Sequence, residues 1–114
     1  MTLTQLLFTF EGRISRKAYW FGAVILFAAS LAASILDWIV AGTMDGTFSM
    51  VAGLVALVAG VAISVKRWHD RDKSGWWVLI ALVPLIGWIW AIVENGFLPG
   101  TQGPNRFGPD PIAL

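Results

Sequence analysis

Three apolar stretches, residues 18–36, 48–65 and 76–93, run through this chain with no Lys, Arg, Asp, Glu or His. Each is close to the roughly 20 residues a helix needs to cross about 30 Å of hydrocarbon. Of the 114 residues, 57% are hydrophobic and only 13% charged, and the mean hydropathy is +0.72. A soluble domain of this size has no core large enough to hide so much apolar surface, so lipid is the solvent for much of the chain. The expectation is an all-α membrane protein, one membrane domain over 1–114, with about three transmembrane helices.

The formal charge of +1 conceals a segregation of bases into 13–17 and 66–73. Such clusters beside apolar runs suit anionic lipid headgroups, and no nucleic-acid partner is expected. The stretch from Lys66 to Trp77 holds the single histidine and half of the lysines and arginines. Without cysteine there are no disulfides, thiolate metal sites or Cys nucleophiles.

In chain order, Leu3, Leu6, Leu7 and Phe10 recur at helical spacing within 1–11, an apolar stripe suited to a short amphipathic helix lying at the membrane interface. Ser15 is a candidate N-cap, and Arg13, Arg16 and Trp20 form a headgroup-level anchor for the first span, 18–36. The positive front and the small residues Ser30 and Ala32 imitate a signal peptide, but the apolar run continues past that point, so an uncleaved anchor is expected. Asp37 and Trp38 close this helix, and the link through Gly42 and Asp45 carries no base.

The second span, 48–65, has Ala52, Ala56, Gly60 and Ser64 at every fourth position, an expected helix-packing seam against Ala18, Gly22, Ser30 and Ser34 of the first. Lys66 and Arg67 end it, and 66–75 forms a basic loop. In the third run, 76–93, Pro84 and Gly87 interrupt the helix. Two shapes fit, a kinked span or a re-entrant hairpin, and the kinked span is preferred because Trp88 and Trp90 lie past its middle. The tail, 95–114, is an irregular series of Gly/Pro turns. Bases flanking the runs put the amino end and the central loop in the cytoplasm. A through-span then sends the tail outside, and a re-entrant segment returns it.

His69 beside Asp70, with Ser74 four residues on, invites a catalytic reading, but adjacent helical residues do not face each other and no catalytic residue is assigned. In the plainer reading Asp70 or Asp72 pairs with Arg67 or Arg71, and Ser74 or Asp72 caps the third helix. One histidine and scattered carboxylates make no metal site, glycine forms no phosphate-binding pattern, and no cofactor is expected. Spans without ionisable residues argue against a proton pump or a carrier of charged substrates.

The segments Gly12-Arg13-Ile14-Ser15-Arg16 with Tyr19-Trp20, Arg67-Trp68-His69-Asp70 with Ser74-Gly75-Trp76, the break from Pro84 to Gly87, and Gly103, Asn105-Arg106-Phe107-Gly108 and Asp110-Pro111 occur in this order. The combination resembles the YhaH-like family of small bacterial inner-membrane proteins, domain of unknown function 805, over nearly the whole chain. The resemblance implies a multi-pass inner-membrane protein and implies no activity. Trp68 stands where the family often has leucine and Phe107 where it often has tyrosine, so no catalytic phenol is expected there.

The leading expectation is a binding module whose cytoplasmic face, Arg13, Arg16, Arg67, His69, Asp70, Arg71 and Ser74, meets anionic headgroups or a protein partner. The tail motif Asn105, Arg106, Phe107 and Asp110 joins these candidates, and a homo-oligomer is an open possibility. The alternatives are a membrane enzyme or transport component using His69 and Asp70, and an oligomeric pore. Asp70 is the expected hub of an ion-pair cluster with Arg13 or Arg16, with His69 at its side.

Overall fold

The computed structural model describes residues 2–41 and 46–112, so the link residues Gly42 and Asp45 and the last two residues of the tail lie outside it. The regular elements among the described residues are helices, with α1 at Leu3–Phe8, α2 at Arg16–Ala41, α3 at Thr47–Asp70 and α4 at Ile86–Ile92, and residues 98–112 form turns with one isolated bridge between Asn105 and Gly108. A 3-10 helix, Gly75–Leu82, precedes α4, and a short π-helical turn, Val93–Phe97, follows it.

Helices α2 and α3 form an antiparallel hairpin, and both are long and apolar enough to cross a membrane. At about 1.5 Å per residue each exceeds the roughly 30 Å of hydrocarbon. Their outward sides stay bare, with Phe27, Ile39, Met50 and Leu57 among the large exposed apolar residues. At the far end of the hairpin Asp37 is buried and, instead of closing α2, caps α3. Its Oδ1 accepts from the Phe48 N–H at 2.6 Å, and its Oδ2 accepts from the Ser49 N–H at 3.0 Å and the Ser49 hydroxyl at 2.7 Å. Helix-start N–H groups have no partner within their own helix, and lipid supplies none.

The deepest burial in α3 falls beside the expected ladder. In the apolar part of α3 the buried residues are Ala59, Ala62, Ile63 and Val65, Gly22 of α2 abuts Ile63, and a Cβ built at Gly60 meets nothing within 4 Å. Ala52, Ala56, Gly60 and Ser64 are all half-buried. A four-residue ladder drifts around a helix of 3.6 residues per turn, and the contact line moves to Ala59 and Ile63 as it approaches the charged end. Gly60→Leu is therefore expected to leave the melting temperature in detergent unchanged. Ala59→Leu is expected to cost about 1–3 kcal/mol by overpacking.

Helix α1 is capped by Thr2 and Gln5, which bond reciprocally. It does not lie free at the interface: Leu6 and Leu7 are buried with Ile14, Ala59 and Ile63, and Leu3 and Phe10 stay exposed. Ser15 caps α2 as expected, accepting from the Ala18 N–H at 3.2 Å.

The third apolar run is not the kinked through-span. It folds back on itself where Pro84 breaks the helix and Leu85 takes a positive φ of 62°. A Cβ at Gly87 would strike the Ile80 carbonyl, and the Trp88 indole donates to the Ala81 carbonyl at 2.8 Å. Eight 3-10 residues and seven α residues rise about 16 and 10 Å, neither enough to cross. The fold-back returns residue 94 to residue 73 and delivers the tail to the charged end of the hairpin.

Candidate functional site

The charged end is built from four segments: the turn after α1, the last turns of α3, the π-helical turn and the tail. α3 continues through Lys66-Arg67-Trp68-His69-Asp70 instead of ending at residue 65, and these five residues are all buried. Charged residues stay helical and buried when partners surround them, and here the irregular segments supply carbonyls on every side.

Asp70 is the hub. The Arg13 Nε donates to its Oδ1 at 3.1 Å, and Arg67 donates to its Oδ2. Arg13 also reaches the carbonyls of Thr101 at 2.6 Å and Gly103 at 2.7 Å, so one guanidinium ties the amino-terminal motif to both α3 and the tail. Arg67, with no exposed surface, donates to the carbonyls of Asn95 and Leu98 at 2.5 Å each. Lys66 is turned inward as well, onto the Gln5 and Leu6 carbonyls left open at the end of α1. Arg16 does not reach Asp70; it donates to the Phe97 carbonyl at 2.8 Å and is exposed. Trp20 is likewise bonded inward, to the Gly96 carbonyl at 2.8 Å.

His69 faces away from Asp70. Its Nδ1 lies 3.0 Å from the Gly12 carbonyl, which only accepts, so Nδ1 carries the proton. Phe107 stacks on the ring with centroids 4.0 Å apart and planes 4° from parallel. Asn105 donates to the His69 carbonyl at 2.9 Å, Arg106 pairs with Asp72 at 3.1 Å, and Asp110 accepts from the Gly103 N–H at 3.0 Å. The tail motif is thus a clasp over the end of α3. Ser74 caps the 3-10 helix, accepting from the Trp76 N–H at 3.3 Å.

A second ion cluster, missing from the sequence reading, centres on Glu94. Lys73 donates to it at 2.7 and 2.9 Å, the Trp90 indole at 2.9 Å and Arg71 at 3.3 Å. Burial raises the Glu94 pKa, and the hydrogen bonds from Lys73, Trp90 and Arg71 outweigh it, so the carboxyl is held below its ordinary value. A depressed carboxylate contributes stability that is fully present above the ordinary value of 4.5 and is lost as pH falls through the folded value. Glu94→Gln is expected to lower the melting temperature at pH 7, and the gap to the native chain should close as the pH drops below about 4. The signal available beforehand was a polar pair, Glu94-Asn95, ending an apolar run. Among the described residues no group of three His, Cys, Asp or Glu is placed to hold a metal ion.

Arginines 13 and 67 and Asp70 are saturated by one another and by carbonyls, so they hold the fold's irregular parts together and are not free to recognise a headgroup. A profile described as "Protein of unknown function (DUF805)" matches residues 7–109, which include parts of all four segments of this cluster and stop one residue short of Asp110. The chain belongs to the DUF805 family. Relatives of this DUF805 chain include the inner membrane protein YhaH of Escherichia coli strain K12, 40% identical over 106 residues, covering 90% of this chain and 86% of YhaH. Inner membrane protein YhaI of the same strain is 35% identical over 102 residues, covering 90% and 85%. YiiR, also of that strain, is 31% identical over 135 residues, covering 96% and 90%. The inner-membrane names of YhaH and YhaI agree with the two membrane-length helices of this DUF805 chain. No solved structure matches it.

Proposed function

We propose that this chain is an inner-membrane binding module with two crossing helices and a re-entrant third segment, its amino and carboxyl ends both cytoplasmic. The base count in the flanking segments supports the orientation. The tail's packing on Arg13 and Asp70, at the end where the bases gather, supports a cytoplasmic carboxyl terminus. The single observation that carries the binding role is the division of labour among the cations. Arg13, Lys66 and Arg67 are consumed inside the fold, and Arg16 and Lys17 stay exposed at the start of α2, where the headgroups lie.

Arg16 and Lys17 attract anionic lipid with about 1 kcal/mol each near the surface, less as salt screens them. In nanodiscs of mixed composition at low salt, the native chain is expected to enrich anionic lipid, and Arg16→Gln with Lys17→Gln to abolish the enrichment while lowering stability by no more than the one exposed hydrogen bond to the Phe97 carbonyl, about 0.5–1.5 kcal/mol. Enrichment that survives the double change removes the lipid reading. A reporter fused after the last residue tests the topology, and an external signal refutes the re-entrant segment.

A further inference from the structure

One part of the charged end is used by neither the ion clusters nor the headgroup reading: the outer edge of His69. With Nδ1 committed to the Gly12 carbonyl, a neutral imidazole presents Nε2 as a bare acceptor. Asn95 Oδ1 is the only enclosed side-chain nitrogen or oxygen without a partner among the described residues, so Nε2, which has none either, is open. It opens into a groove of about 420 Å³ lined by Phe10, Val65, His69, Ser74, Trp76 and Phe107 together with Gly75 and Val78. Glycine at 75 keeps it open: a Cβ there would lie 3.4 Å from Nε2 and would strike Val65. The Ser74 hydroxyl accepts from the Trp76 N–H, which leaves its own proton free to donate.

We propose that this groove binds a lipid alcohol, an apolar chain ending in an uncharged hydroxyl. A hydroxyl is both donor and acceptor, which matches the acceptor Nε2 and the donor Ser74 that line the groove. No lysine or arginine lines it, so a phosphate or carboxylate head has no counter-ion there. Its walls are aromatic and aliphatic, Trp76 and Phe10 are 77% and 45% exposed at its edge, and it sits at the end of a membrane-length helix. A volume within the range of about 300–1,000 Å³ is that of an ordinary small-molecule site. The proposal rests on the membrane placement and not on the anionic-lipid reading, so each can fail alone.

The test uses the full chain in zwitterionic nanodiscs at pH 8, above the ordinary imidazole pKa of about 6.5. With one histidine in the chain, ¹⁵N-histidine labelling reports this site alone. Titration with 1-hexadecanol is expected to move the Nε2 resonance saturably and leave Nδ1 in place, with no shift from hexadecane. Monopalmitoylglycerol acting at lower concentration than hexadecanol would identify an acylglycerol source and support the site. Ser74→Ala should weaken binding about two- to tenfold, the loss of one hydrogen bond, and Ser74→Thr should restore it. The Arg16→Gln, Lys17→Gln chain should bind as the native one does. No saturable shift with either alcohol, an equal shift with hexadecane, or a response to palmitate alone would overturn the proposal.

Discussion

Asp70→Asn is expected to cost about 3–5 kcal/mol of stability in detergent, because it leaves two buried guanidiniums facing a neutral amide. Arg13 and Arg67 are 5% and 0% exposed, so neither can turn to water to recover the loss. A double-mutant cycle separates the hub from a set of independent charges. Asp70→Asn combined with Arg13→Gln should fall well short of the sum of the single losses, because the two changes remove one shared ion pair at 3.0 Å. Combined with Arg16→Gln the losses should add, since Arg16 is bonded to the Phe97 carbonyl and not to Asp70. Additivity in the Arg13 cycle would mean that the pair does not form in solution.

Gly87→Ala is the second large effect. The new methyl would meet the backbone carbonyl of Ile80 and press on Val83, and backbone in a turn held by Pro84 has little freedom to withdraw. The expected cost is about 1–3 kcal/mol or more, with opening of the fold-back. A single cysteine at position 80, half-buried beside Gly87, reads that opening with a thiol-reactive probe. Gly53→Ala is the control: a Cβ there meets nothing within 4 Å, and alanine should leave α3 unchanged or firmer by about 0.5–1 kcal/mol. Equal stability of the native and Gly87→Ala chains would show that the close approach of α4 to the 3-10 helix is absent.

The sequence by itself determined the helical class, the inner-membrane setting that the relatives' names share, and the two membrane-length helices. Two apolar helices of this length, barely buried by the rest of the chain, suit lipid, and a backbone in lipid must bond to itself, which a helix does locally. Ser15 as a cap was equally legible, because capping is decided within four residues. The fate of the third run was not: Pro84 announces a break, but a kink and a reversal differ only in whether Gly87 finds the Ile80 carbonyl and Glu94 finds Lys73. Asp70 was legible as a pairing residue, whereas the choice of Arg13 over Arg16 came from where the tail presents the carbonyls of Thr101 and Gly103. Exposed cations and cations buried under carbonyls look alike along the chain. Only the tertiary structure separates Arg67 from Lys17, because burial of a charge depends on partners that are distant in sequence and assemble together.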